Sequence, residues 1–218
     1  MLDTNELSRI ETNNLFPIFL KLETLRLLIV GGGYVGMEKL QAVLKNSPAT
    51  SIQLVAPAIS NDIKELALLH RNITLVEKKY DSNDLDGVDL VIVAVNDMRV
   101  SEQVQADARS KRLLVNVADT PALCDFYLSS VVTKGNLKIA ISTNGKSPTI
   151  AKRLKEVFTD LLPDEIDHIL SNMQIIRESL SGDFSEKVKQ LDILTGNLAA
   201  KQGSSGDGSA GESKKEDQ

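Results

Sequence analysis

The chain has 218 residues, 42% apolar and 25% charged, the balance of an ordinary globular protein; aromatics are only 4% and tryptophan is absent, so aliphatic side chains must fill the core. A net charge of -5 argues against a general nucleic-acid binder, and the single cysteine, Cys124, excludes an internal disulfide and suits a reducing compartment. The polar start MLDTNELSRIETNN has no signal core, and no apolar run approaches the roughly 20 residues that a bilayer span needs; a cytoplasmic protein with no membrane association is expected.

In chain order, residues 15–20 (LFPIFL) read as an extended lead-in, and residues 25–30 (LRLLIV) as a buried strand running into glycines. Residues 34–45 predict a helix with Val35, Leu40, Val43 and Leu44 near one stripe. A second strand over 51–55 is stopped by Pro57, a helix follows over 59–69, and a short strand over 73–76. Residues 90–95 (LVIVAV) are apolar on both faces, as a parallel sheet requires. A helix over 100–110 and a strand over 113–117 complete the series. This alternation is the signature of an α/β fold with a Rossmann-like, doubly wound parallel sheet, expected over residues 1–116.

The rhythm then changes. Residues 126–132 and 137–142 read as two strands joined by the turn Lys134-Gly135-Asn136. Ser147 suits a helix N-cap and Pro148 a first helical position, opening a helical region to residue 200 with breaks at Leu162-Pro163 and Ser181-Gly182. A small β-containing segment over 117–150 and a helical domain over 151–200 are therefore expected. The glycine-, serine- and charge-rich stretch 201–218 is expected to be disordered.

Gly31-Gly32-Gly33-Tyr34-Val35-Gly36 fits G-x-G-x-x-G between a strand and a helix, the context that gives this pattern its meaning. Gly31 allows a tight turn, Gly33 lets a pyrophosphate approach the backbone, and Gly36 lets the helix lie close to the strand. Free N–H groups at the helix start would hold the phosphates. The second strand ends Leu54-Val55-Ala56-Pro57, without the acid that commonly binds a ribose and without a base for a 2′-phosphate. The missing base leans towards NAD, with the ribose held by backbone groups around Ala56 to Ile59.

Ligands of such sheets sit beyond the carboxyl ends of the strands. Asn96, Asp97, Asn116 and Asp119 follow the fourth and fifth strands and border the expected nicotinamide site, with Asn96 and Asn116 as candidate cofactor contacts. Capping of the next helix is the stronger reading of Asn96 and Asp97. For Asp119, spacing does not choose between a proton acceptor and a turn opener. Cys124 has no histidine near it in sequence and reads as a small buried hydrophobe. No cluster suggests a metal site. From Phe126 to Lys155 there is no Asp or Glu, while Lys134, Lys138, Lys146, Lys152, Arg153 and Lys155 fall within the stretch. Concentrated charge of this kind suits a polyanionic small molecule, with Lys134, Lys146, Ser147, Lys152 and Arg153 as candidate substrate contacts.

Phe16-Pro17-Ile18-Phe19-Leu20, the glycine loop, Asn116-Val117-Ala118-Asp119-Thr120-Pro121 and Ser142-Thr143-Asn144-Gly145-Lys146-Ser147-Pro148, in this order and spacing, resemble the dehydrogenase/ferrochelatase family of siroheme synthesis from about residue 15 to 200. The resemblance implies NAD-dependent oxidation of precorrin-2 to sirohydrochlorin and, in some members, insertion of Fe²⁺ to give siroheme. It also implies a homodimer paired through residues 117–150 and a C-terminal helical domain closing over the cleft. The family's catalytic aspartate falls on Asp119, and its cofactor contacts on the glycine loop, notably Tyr34 and Val35, and on Ala58 and Ile59. Members often carry Pro at the place of Ser129 and Arg-Gly at Lys134-Gly135. The methyltransferase domain fused to this module in some bacteria is absent from the sequence, so uroporphyrinogen methylation is expected from another protein. The eight carboxylates of precorrin-2 suit the acid-free segment better than a smaller acid would. The rival from another class is a non-enzymatic NAD-sensing regulatory module, which would ordinarily carry the missing acid after the second strand.

Overall fold

The computed structural model describes residues 13–199. They form two compact units, one of residues up to Val131 with Ala140–Val157, the other of Val132–Ile139 with the residues from Phe158 onward. The tail expected over 201–218 lies outside the described residues.

The first unit is built on five strands: β1 (Arg26–Val30), β2 (Ser51–Ala56), β3 (Ile73–Glu77), β4 (Leu90–Val93) and β5 (Leu114–Val117). All neighbours pair in parallel in the order β3-β2-β1-β4-β5. The chain winds outward from β1 through β2 and β3, then crosses back to β4 and β5. The topological switch point therefore lies between β1 and β4, where ligands of such sheets bind. Helices α1 (Tyr34–Asn46), α2 (Asn61–Leu68) and α3 (Met98–Ser110) connect the strands.

Successive strand residues point to opposite faces, and both faces are covered. Leu27, Ile29, Ile52, Leu54, Leu90 and Ile92 pack with Leu40, Val43 and Leu44 of α1 and Ile63 of α2. The alternate residues Leu28, Val30, Val55, Val91, Val93, Val115 and Val117 pack with Val104 and Ala108 of α3. Each fully buried Leu or Ile contributes about 1.5–3 kcal/mol of transfer free energy, so this bilayer of aliphatics replaces what aromatics do elsewhere.

Differences from the sequence reading have local causes. α2 starts at Asn61, because Ser60 is its N-cap and accepts the Ile63 N–H, leaving Ile59 buried before the helix. Residues 15–20 form no regular element, and Phe16 and Phe19 are exposed. The strand expected from residue 126 begins only at Ser130, as β6 (Ser130–Lys134), because the Phe126 carbonyl is taken by the Asn116 amide at 2.8 Å.

β6 pairs with β7 (Leu137–Ile141), and α4 (Pro148–Leu161), α5 (Ile166–Ser179) and α6 (Phe184–Ala199) follow. In the second unit, Lys134 Nζ donates to the Leu162 carbonyl and to Asp164 at 2.8 Å. Asp167 accepts from the Asn136 backbone N–H at 2.7 Å and its amide at 2.9 Å. These bonds hold both the Asp164 and Asp167 carboxyls below the usual carboxylate range. The helix breaks fall at Pro163 and at Gly182, whose φ is +109°; Asp183 then accepts the Glu186 N–H at 3.0 Å and starts α6.

Candidate active site

At the end of β1 the Gly31 N–H donates to the Val55 carbonyl at 2.9 Å, and its φ of +130° turns the chain out of the sheet. A side chain here would run into the Ala94 carbonyl, so the ends of β1 and β4 meet at a glycine for want of room. The Gly32 carbonyl accepts the Ser60 N–H at 2.9 Å, and a Cβ on Gly32 would fall on the Ala58 carbonyl. A Cβ on Gly36 would fall on the Gly31 carbonyl, so this glycine sets how closely α1 lies against the loop.

Gly33 differs from these three. It is the N-cap of α1 and is exposed, no side chain caps the helix, and a Cβ there would meet nothing within 4 Å. The first N–H groups of α1 thus begin beside open space. Uncapped donors at the positive end of a helix dipole are a site for phosphate. Tyr34 is 85% exposed and Val35 half-buried. At the end of β2, Ala58 is exposed while Ile59 is buried in the core, so a ligand at this turn would meet Ala58 and backbone groups. The loop fits a dinucleotide's pyrophosphate; the β2 end offers its ribose no carboxylate.

Beyond β4, Asp97 is spent on α3, accepting the N–H groups of Arg99 at 2.9 Å and Val100 at 3.4 Å. Asn96 is exposed beside it. Asn116 on β5 is buried, and its amide is committed to the Phe126 carbonyl and, at 3.5 Å, to Cys124 Sγ. Just past β5, the Thr120 N–H returns to the Val117 carbonyl at 3.3 Å and closes a four-residue turn. Asp119 is its third residue, exposed and at φ +56°. Glycine or asparagine is the cheaper occupant of that conformation. Aspartate is among the few residues with a Cβ that adopt it readily, and the turn leaves its carboxylate exposed beyond the end of β5.

The basic candidates fall in both units. Lys134 belongs to the second unit, and its amino group is held by Leu162 and Asp164. Ser147 accepts the Ile150 N–H at 3.2 Å and so caps α4, and it is tied to Thr143 Oγ1 through both its N–H and its carbonyl. Lys146 lies in the turn before α4; Lys152 and Arg153 are exposed in its first half, and Arg153 pairs with Glu156 at 2.8 Å. Among the described residues, no group of three or more His, Cys, Asp or Glu side chains could hold a metal ion, and no helix is long and apolar enough to cross a membrane.

The sequence reading passed over Gly32 and the polar use of Cys124. Three glycines in a row, where the motif requires two, are the signal for Gly32. Cys124 carries no such signal, because its partners are backbone groups of a turn.

The family described as putative NAD(P)-binding matches residues 18–130, and that described as sirohaem biosynthesis protein central matches residues 134–160. A siroheme synthase of Psychrobacter sp. (strain PRwf-1) is 36% identical over 184 residues, covering 84% of this chain and 36% of that protein. A siroheme synthase of Pseudoalteromonas translucida is 36% identical over 174 residues, covering 80% of this chain and 34% of that protein. The chain thus spans about a third of the length of these curated relatives. The solved structure of SirC, precorrin-2 dehydrogenase, superposes with a TM-score of 0.67 at 26% identity, covering 83% of this chain and 89% of that one. With a doubly wound sheet, an uncapped glycine loop and both family segments in order, the chain belongs to the family described as putative NAD(P)-binding.

Proposed function

We propose that this chain is a dehydrogenase that oxidises precorrin-2 to sirohydrochlorin with NAD as its oxidant. The observation that carries the reading is Asp119, a carboxylate kept in left-handed backbone at the end of β5, on the same sheet edge as the uncapped start of α1. The likeness to SirC, precorrin-2 dehydrogenase, supports the substrate.

When bound, NAD supplies the hydride acceptor. The chain's own part is to hold the pyrophosphate at Gly33, Tyr34 and Val35 and the ribose at Ala58, and to manage the proton. Oxidation removes one hydride and one proton from the macrocycle and leaves a new double bond; the Asp119 carboxylate takes the proton, or positions the ring for its loss. Lys146, Lys152 and Arg153 offer positive charge to the substrate's carboxylates, with Ser147 as a further contact at the start of α4. A cytoplasmic, reducing setting suits the free thiol of Cys124.

Two extensions belong to the same reading. The chain works as a homodimer; Ile150, Leu154 and Val157, exposed at helical spacing on α4, give it an apolar row to cover. Fe²⁺ insertion into the product would draw its ligands from the macrocycle and Asp119.

The test is anaerobic incubation of the protein with enzymatically made precorrin-2 and NAD, followed by absorbance. The sirohydrochlorin spectrum should grow with equimolar NADH. Fe²⁺ added to the same cuvette then decides the chelatase step. Asp119→Asn should lower kcat at least a hundredfold, to a small but measurable residual rate, with NAD binding nearly intact, since asparagine tolerates the same backbone. No oxidation with NAD or NADP would overturn the reading and favour a non-enzymatic NAD-sensing module.

A further inference from the structure

We propose that Cys124 is a positioning residue for Asp119, its thiol clamping the turn that carries the carboxylate; this rests on the reading of Asp119 above.

The sulfur touches both ends of that turn. Sγ accepts the Val117 N–H at 3.2 Å and the Asn116 amide at 3.5 Å. Sγ lies 3.1 Å from the Val117 carbonyl oxygen and 3.4 Å from the Thr120 carbonyl oxygen, and its single S–H donates to one of them at a time. Val117 and Thr120 are the first and last residues of the turn, and Asp119 lies between them.

The Ala118 N–H donates to the Val93 carbonyl at 2.9 Å and the Leu123 N–H to the Thr120 carbonyl at 3.0 Å, but neither bond involves Asp119, and the bonds within the turn are weaker. The closing bond and the bond from Thr120 Oγ1 to the Ala118 carbonyl are both 3.3 Å, long for such groups. Left-handed backbone is one of several conformations open to aspartate, so a turn less firmly held would let Asp119 sample the others and its carboxylate move.

The rest of the segment anchors Cys124 itself. Asp125 pairs with β5 through its N–H to the Val115 carbonyl at 2.8 Å and its carboxylate to the Val115 N–H at 3.1 Å. Arg109 holds the same carboxylate at 3.1 Å, and the Phe126 carbonyl takes the Asn116 amide. The segment after the turn is thereby fixed along the free edge of β5, and Cys124 is its link back to the turn. Burial pushes the thiol's pKa up, so it stays protonated and keeps its donor. An apolar side chain of like size would fill the space and leave the Val117 N–H without this partner.

The experiment compares Cys124→Ala and Cys124→Ser in the full chain, with precorrin-2 oxidation and NADH titration as readouts. Cys124→Ala should bind NADH as the parent does, lose roughly ten- to a hundredfold in kcat, and shift the acid limb of the kcat–pH profile, because a displaced group loses catalytic alignment. Cys124→Ser, which restores a donor and an acceptor, should recover most of the rate. In an Asp119→Asn background, Cys124→Ala should lower the residual rate no further, the non-additivity expected of a residue acting through another. Should Cys124→Ala not fold, Cys124→Ser against Cys124→Val makes the same comparison, and the rate should survive only in serine.

A parental kcat and pH profile in Cys124→Ala, or an equal fractional loss in both backgrounds, overturns the positioning role and leaves Asp119 standing. A parental rate in Asp119→Asn with Cys124 intact overturns the reading of Asp119, and the clamp with it.

Discussion

At Gly33 an added methyl group meets open space, whereas at Gly36 it lands on the Gly31 carbonyl. The two positions therefore separate binding from folding. Gly33→Ala should cost no more than about 1 kcal/mol, the loss on placing alanine at an N-cap, yet weaken NAD binding at least tenfold by filling the place of the pyrophosphate. Melting and NADH titration on one sample decide this, and unchanged affinity would remove the phosphate site from the loop. Gly36→Ala should cost about 1–3 kcal/mol, as overpacking does, and lose cofactor binding along with stability. Some of this was legible in the sequence, since the G-x-G-x-x-G spacing names Gly31, Gly33 and Gly36. It did not reveal Gly32, because what crowds Gly32 is the carbonyl of Ala58, a neighbour brought in by the second βα turn.

The elements themselves were largely written in local pattern. Strands β1, β2, β4 and β5 are short apolar runs buried on both faces, and Pro163 and Gly182 separate the last three helices where a chain breaker must. What the pattern withheld was the use of polar side chains whose partners lie far along the chain. The sequence names Lys134 as a candidate substrate contact but not its bond to Asp164, thirty residues later. It names Asn116 as a candidate cofactor contact but not the bond from its amide to the Phe126 carbonyl. Asp97, by contrast, caps α3 as its position suggests; Asp97→Ala should cost about 1 kcal/mol by denaturant titration, with NAD affinity unchanged. In the second unit, Asp164 and Asp167 have carboxyls lowered in the folded state. Such groups stabilise above the ordinary carboxylate pKa of 3.8 and cease to do so as pH falls through their lowered values. The second unit's helical signal should therefore weaken in acid below that point, and Asp167→Asn should flatten part of the dependence, seen as circular dichroism against pH.

Across the whole molecule, an acidic chain has gathered cations without acids into one stretch of thirty residues, 126–155. If Lys146, Lys152 and Arg153 receive the substrate's carboxylates, raising salt from roughly 0.05 to 0.5 M should raise the KM for precorrin-2 several-fold and leave kcat nearly constant, because screening acts on encounter and binding. A flat KM would release these residues from that role. The exposed row on α4 makes a second prediction at this scale: Leu154→Glu should convert a dimer to a monomer in sedimentation velocity. The glycine loop has a further consequence, for descent. Gly31, Gly32 and Gly36 are fixed by the chain's own atoms, so a lineage that gave up its cofactor would still inherit all three. Gly33 meets none of them, and if the loop holds NAD it would be the first of the four to drift once the cofactor was gone.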